Sequence, residues 1–89
     1  MEVKIDRTFQ KDAAKIDQKA LFNLIADSII NVRDASRINE IKNLKKLKGT
    51  ANHYRIKIGD YRLGIIISKG SVKFIRCLHR KDIYKYFPG

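Results

Sequence analysis

The sequence predicts an α+β domain, in which a small, mostly antiparallel four-stranded sheet carries a helical hairpin on one face and ends in a short C-terminal helical tail. Apolar residues recur with a period near 3.6 through the first half of the chain and with a period of 2 through most of the second half. Two-residue turn signals at Gly59–Asp60 and Lys69–Gly70 divide the second half into hairpins. The predicted order is β-α-α-β-β-β.

The N-terminal half predicts one strand and two helices. Residues 2–6 alternate apolar and charged side chains, as a short strand does. Thr8 is the expected N-cap of a first helix, with Phe9 on its apolar face. Asp17 is the expected cap of a second helix over about 18–35, whose apolar residues form one continuous stripe. Because almost no linker separates the two helices, they are expected to form an antiparallel hairpin.

The second half predicts three strands after a short third helix. Ser36 is the expected cap of that helix, and Gly49 is its expected C-terminal stop. The strands then run over 53–58, 61–68 and 71–79, and a final turn or short helix stops at Pro88. The whole chain, 1–89, is expected to be a single domain.

The hairpin turns fix which residues face one another. A two-residue turn at Gly59–Asp60 places Lys57 opposite Arg62 and Arg55 opposite Gly64, on the face away from the helices. The same alternation turns the apolar residues of these strands toward the helices. In the second hairpin, the simple register opposes Leu63 and Arg76 on the core face. Either Arg76 reaches an edge of the sheet, or a bulge shifts the register.

The positive charge lies almost entirely in the second half of the chain. The formal net charge is +11, and residues 42–89 contain thirteen of the twenty Lys and Arg but only two acidic residues. A domain that concentrates cations in this way repels itself, so a polyanionic partner is expected, of which nucleic acid is the commonest. The residues expected to contact the phosphates of such a partner are Lys45, Lys46, Lys48 and Arg55.

Several other classes of protein are disfavoured. No stretch approaches the roughly 18 apolar residues of a membrane span, and the N-terminus lacks the pattern of a signal peptide, so a cytoplasmic location without membrane contact is expected. The single cysteine, Cys77, is expected to be buried and inert. With two histidines and no carboxylate on the cationic face, neither a metal site nor another cofactor is expected.

A family resemblance lies in three runs of residues: LKKLKG, HYRIKIGDYRLGIII and LHRKDIYKYF. The chain resembles the RelE/ParE superfamily, the toxins of bacterial and archaeal type II toxin–antitoxin systems. The resemblance covers nearly the whole chain and is closest to the RelE branch, the mRNA interferases. It implies an endoribonuclease that cleaves mRNA, typically in the ribosomal A site, and so inhibits translation. It also implies a cognate antitoxin, and promoter DNA bound only through that antitoxin.

The resemblance also implies a set of site residues. The two strand cations of the family correspond to Arg55 and Lys57, and the arginine of its Tyr-Arg pair corresponds to Arg62. The arginine near the C-terminus of the family corresponds to Arg80, and the C-terminal tyrosine corresponds to Tyr84. The sequence departs from the family where Arg55 replaces a frequent lysine and in the short spacing between Arg80 and Tyr84. At another position, His79 stands where some members have a basic residue or glycine. The predicted catalytic set is Lys57, Arg62, Arg80, Tyr84, Arg55 and His79.

RNA cleavage needs no metal if the 2′-OH attacks the adjacent phosphorus. Lys57 is the candidate base, since the neighbouring cations favour loss of its proton, and Arg62 is expected to hold the scissile phosphate. Arg80 would stabilise charge on the leaving group, with His79 or Arg80 as general acid. Tyr84 would stack on a base and help to align the 2′-OH.

Two other functions remain open at this point. A toxin of the same fold could inhibit DNA gyrase by protein contact, as ParE does, without nuclease chemistry. A non-catalytic RNA-binding module would also account for the charge.

Overall fold

The computed structural model describes residues 1–88 and contains five strands and three α-helices. In chain order these are β1 (Glu2–Ile5), α1 (Arg7–Ala14), α2 (Lys19–Asp34), a 3-10 turn (Ile38–Glu40), β2 (Leu44–Lys46), β3 (His53–Ile58), β4 (Tyr61–Ser68), β5 (Ser71–His79) and α3 (Ile83–Tyr86). The structure agrees with the sequence prediction in its α+β class, its first two helices, its last three strands and its helical tail.

The sheet has five strands in the order β1-β5-β4-β3-β2, not the predicted four. β1 pairs in parallel with β5, and the other neighbours are antiparallel. The additional strand, β2, lies where the apolar spacing predicted the end of a third helix. Asn43 has a φ of 63°, which a helix does not tolerate, and Leu44–Lys46 then pairs with the edge of β3. Only the 3-10 turn remains of the predicted helix.

One face of the sheet packs against the helices and forms the core. This helix face presents apolar side chains that are almost fully buried, including Ile56, Leu63, Ile65, Phe74 and Cys77. Phe9 of α1 meets Phe74 edge-on, with ring centroids 5.4 Å apart. The opposite face, which includes Arg55, Lys57, Arg62 and Gly64, is called the outer face below.

The first helix is capped by Asp6, not by the predicted Thr8. The Asp6 carboxylate accepts a hydrogen bond of 3.1 Å from the Thr8 backbone N–H. This bond, with a smaller contribution from Lys73, lowers the pKa of Asp6. For the second helix, the N-cap position is occupied by Gln18 rather than Asp17, and no side chain caps it.

A bulge in the last hairpin resolves the conflict between Leu63 and Arg76. Near the turn, Ile65 pairs with Phe74 as predicted. The register shifts between Gly64 and Ile65, so that Leu63 pairs with Cys77 and Gly64 with Arg76. The predicted pairing was therefore wrong by one residue beyond the bulge, and apolar Cys77 takes the core position instead of Arg76.

Asp12 of α1 closes the edge of β5 that β1 does not cover. The pairing of β1 with β5 ends at Ile5 and Phe74. Beyond that point the buried Asp12 carboxylate accepts the backbone N–H of Cys77 at 3.0 Å. Burial first, and then the Asp12 charge, raises the pKa of Cys77 to about 12. The expected burial of this thiol is confirmed.

The C-terminal tail crosses the outer face of the sheet. Ile83 is fully buried, and the Phe87 ring lies directly over Gly64. A Cβ at residue 64 would stand only 2.7 Å from Cγ of Phe87. The ring of His53 also contacts Phe87, with ring centroids 5.3 Å apart. Gly64 thus leaves the space into which the tail is packed.

We expect Gly64→Ala to lower the free energy of unfolding by about 1–3 kcal/mol, because the added methyl overpacks the site of Phe87. Urea denaturation followed by far-UV circular dichroism measures the change. In a Phe87→Ala background the same substitution should cost almost nothing, because the clash is gone. Equal costs in the two backgrounds would contradict this packing of the tail.

The Asp6 cap should give a small acid-dependent contribution to stability. Since folding lowers the pKa of Asp6 below its ordinary 3.8, the contribution is complete above that pH and disappears as the pH falls through the folded-state value. Asp6→Asn preserves a capping oxygen that cannot titrate. The difference in Tm between wild type and Asp6→Asn should be constant from pH 7 to 5 and should change below about pH 3.8. A difference that stays flat down to pH 2 would contradict the cap.

Candidate functional site

Three adjacent strands each present cations on the outer face. Arg55 of β3 pairs with Lys45 of β2 on one side and with Gly64 of β4 on the other. In the next outward-facing position, Lys57 pairs directly with Arg62, as the turn predicted. Like charges opposed in this way destabilise a sheet unless a counter-charge lies over them. The arrangement can receive a phosphate backbone running across the strands.

Arg55 is partly buried. Its Nη1 donates to the Asn43 carbonyl at 3.3 Å, and its Nε is buried without a hydrogen-bond partner among the described residues. A buried, unpaired donor is unfavourable. Asn43 also accepts the Lys57 backbone N–H at 3.1 Å, so its turn before β2 supports both cationic positions of β3. The supporting role of Asn43 was not predicted from the sequence, in which an asparagine indicates only that the backbone can adopt a positive φ.

Arg62 is held at the β3–β4 turn. Its Nη1 donates to the carbonyls of Gly59 at 2.8 Å and Tyr61 at 3.0 Å. In residues 1–88, the hydrogen bonds of this guanidinium involve only Nη1. Its Nε and Nη2 can therefore donate to an anion. The neighbouring Lys57 is exposed to solvent.

Arg80 comes to the same turn from the end of β5. Its backbone N–H donates to the Asp60 carbonyl at 2.7 Å, and its Nε lies 3.6 Å from the Asp60 carboxylate. Both side chains of this ion pair are largely exposed, so the pair is weak and exchangeable. Arg62 and Arg80 are thus anchored to adjacent residues of one turn. The role of Asp60 in holding Arg80 there was not predicted from the sequence.

His79 lies on the other side of the sheet from Arg62. It pairs with Tyr61 and its ring meets the Tyr61 ring edge-on, with centroids 5.7 Å apart. Its Nδ1 accepts the Lys81 backbone N–H at 3.2 Å. The expectation that His79 joins Lys57 and Arg62 on one side is therefore wrong, because the bulge changes which residues of β5 face outward.

Tyr84 faces the basic segment that includes β2. The two line a groove of about 360 Å³, together with Phe87 and Pro88. Tyr84 is 62% exposed, so its ring is accessible to a ligand. The groove brings Tyr84 together with three of the predicted RNA-binding residues, Lys45, Lys46 and Lys48.

The part of the chain that the structure describes contains no cluster of three His, Cys, Asp or Glu side chains suited to a metal ion. Across residues 1–88, no helix has the length and apolar content needed to cross a membrane. The side chains of the outer face offer ammonium, guanidinium and phenol groups, and the imidazole of His53 lies there against Phe87.

Known proteins match this chain over nearly its whole length. The family model described as the ParE toxin of the type II toxin–antitoxin system parDE matches residues 3–84. The toxin RelE3 of Methanocaldococcus jannaschii is 38% identical over 91 aligned positions, which cover 99% of this chain and all of that protein.

Solved structures show the same fold. A RelB–RelE antitoxin–toxin complex from Methanococcus jannaschii contains a chain with 36% identity and a TM-score of 0.80, covering 96% of this chain and 99% of that one. The RelE–RelB complex of Pyrococcus horikoshii contains a chain with 23% identity and a TM-score of 0.72, over 89% of this chain and 93% of that one, and at this identity it supports the fold alone. The chain belongs to the ParE toxin family of type II toxin–antitoxin systems, within the RelE/ParE superfamily that its sequence resembles.

Proposed function

We propose that this toxin is a metal-independent endoribonuclease that cleaves mRNA on the ribosome and so stops translation. The observation that carries the proposal is the direct pairing of Lys57 with Arg62 on a face that also presents Arg55 and Lys45. The three strands of this face contain no acidic residue. Such a surface fits a polyanion, and the 38% identical relative is named as a RelE toxin.

Cleavage begins when a base removes the proton of the 2′-OH. Lys57 is the proposed base because it is exposed and pairs directly with Arg62, and because an amine, unlike a guanidinium, is a group that can serve as a general base. The 2′-oxygen then attacks the adjacent phosphorus and the bond to the 5′-oxygen breaks. The products are a 2′,3′-cyclic phosphate and a 5′-hydroxyl.

The two arginines at the β3–β4 turn are proposed to stabilise the negative charge that develops. Nε and Nη2 of Arg62 would offer two donors to one phosphate, the geometry in which a guanidinium binds most strongly. Arg80 would exchange its weak pairing with Asp60 for the leaving oxygen. Because His79 lies on the helix side of the sheet, we assign the leaving-group role to Arg80, with water as the proton donor.

Tyr84 and the lysines of the groove are proposed to orient the RNA. The exposed ring can stack on a nucleobase, which would help to bring the 2′-OH into line with the scissile bond. Lys45, Lys46 and Lys48 would contact neighbouring phosphates of mRNA or ribosomal RNA.

The proposed protein partner is a cognate antitoxin. Several structural relatives were solved as complexes with RelB antitoxins. An antitoxin segment that covers the outer face would neutralise its cations and block RNA. Promoter DNA would be bound only through that antitoxin, and the toxin would act in the cytoplasm.

A second function, inhibition of DNA gyrase without nuclease activity, is favoured by one finding, the match to the ParE family model. The two functions are distinguished by their cellular effects. A nuclease leaves transcripts with new ends, whereas a gyrase inhibitor leaves mRNA intact and induces the response to DNA damage.

We expect Lys57→Ala with Arg62→Ala to lower the rate of mRNA cleavage by at least about 10³-fold, since one substitution removes the base and the other removes the phosphate clamp. Primer extension after induction in cells maps the cleavage, and growth measures toxicity. The matched control is Lys11→Ala with Lys19→Ala, which removes two exposed cations from the helices and should leave cleavage unchanged. Persistent cleavage and growth arrest by the first variant would overturn the site.

A further inference from the structure

We propose that Arg76, held by the buried Asp12, is a positioning residue that fixes the C-terminal tail through Tyr86 and thereby sets the place of Tyr84 in the RNA groove. The inference deepens the proposed function and rests on it for the role of Tyr84. Neither Arg76 nor Asp12 takes part in the cleavage steps proposed above.

The first link is the ion pair between α1 and β5. Asp12 Oδ2 accepts from Arg76 Nε at 2.7 Å, and Asp12 Oδ1 accepts from Arg76 Nη2 at 3.1 Å. The Asp12 side chain is 5% exposed and that of Arg76 22% exposed. A two-point pair in this environment fixes the plane of the guanidinium. The hydrogen bond to Asp12 raises the pKa of Arg76 above its ordinary value.

The second link joins Arg76 to the tail. The guanidinium carbon lies 5.3 Å from the centroid of the Tyr86 ring, within the range of a cation–π contact. Tyr86 is 55% exposed, so it has little other packing. Its contact with Arg76 therefore connects the end of α3 to a guanidinium that Asp12 holds in one orientation.

The third link is the geometry of α3 itself. This single turn of helix places Tyr84 two residues before Tyr86, and the two rings leave the helix in different directions. Tyr84 lines the groove with the β2 lysines, whereas Tyr86 lies beside Arg76, Asp12 and the end of β5. Phe87 and Ile83 hold the tail down, and the Arg76 contact opposes its rotation. Loss of that contact should let Tyr84 move without detaching the tail.

The test places a fluorescent reporter at residue 84. The chain contains no tryptophan, so Tyr84→Trp introduces a single tryptophan at the groove, which can be excited at wavelengths that tyrosine does not absorb. In that background Tyr86→Leu removes the ring that Arg76 contacts, and Tyr86→Phe retains it as the matched control. Arg76→Lys keeps the positive charge beside Asp12 but loses the planar two-point pair. Alanine is avoided at residue 76 because it would leave the buried carboxylate unpaired.

We expect Tyr86→Leu and Arg76→Lys to lower the fluorescence anisotropy of the introduced tryptophan, and Tyr86→Phe to leave it unchanged. In chains that retain Tyr84, the first two variants should reduce kcat for mRNA cleavage by about ten- to a hundredfold with little change in KM, because the groove lysines still bind RNA. Tyr86→Phe should retain wild-type kcat.

Unchanged anisotropy in Tyr86→Leu, or equal loss of kcat in Tyr86→Phe and Tyr86→Leu, would overturn the positioning role. If far-UV circular dichroism shows that the variants have lost the whole fold, the fall in anisotropy comes from unfolding. That outcome would overturn the positioning role as well. The anisotropy does not depend on cleavage. If the wild-type protein cuts no RNA while the tryptophan reporter still responds as expected, the proposed function fails and the placement of Tyr84 by Arg76 stands.

Discussion

The alternation of side chains in the β3–β4 hairpin is the constraint on which the rest of the structure depends. Burial of Ile56 and Leu63 against the helices leaves Arg55, Lys57 and Arg62 no position except the outer face. The energy that holds these cations together is therefore hydrophobic and comes from the other side of the sheet. The cationic surface can be preformed before a ligand neutralises it.

The C-terminal end of β5 depends on a second interaction, the one that Asp12 makes. Beyond Phe74, the edge of β5 that points away from β4 has no neighbouring strand, and a bulge changes which residues of β5 face the core. Asp12 accepts the backbone N–H of Cys77, which no neighbouring strand pairs, and binds Arg76 with the same carboxylate. One buried acid in a chain of net charge +11 thus completes the sheet and joins α1 to β5.

The sequence was sufficient to predict the elements that have strong periodicity. The two helices, the three long strands and the pairing of Lys57 with Arg62 follow from spacing and a two-residue turn. β2 was missed because a three-residue strand has too few positions to show a period, and its one apolar residue, Leu44, also fits a helical spacing. The face of His79 was predicted wrongly because the bulge in β5 exchanges the inward-facing and outward-facing positions of every later residue in the strand. From the sequence, a bulge was only one of two alternatives. Contacts between distant residues, such as Asp12 with Arg76 or Asp60 with Arg80, have no local signal.

The packing of Phe87 over Gly64 divides the apolar interior of the protein into two parts. The main core, which includes Phe9 and Phe74, lies on the helix face, and neither Ile83 nor Phe87 belongs to it. Residues 83–87 can therefore separate from the sheet in a sub-global opening that leaves the helices and the main core packed, at a free energy below that of complete unfolding. In hydrogen exchange, the amides of this segment would form a less protected unit than those of β4. The part of the molecule that presents Tyr84 is thus energetically separable from the part that keeps it folded.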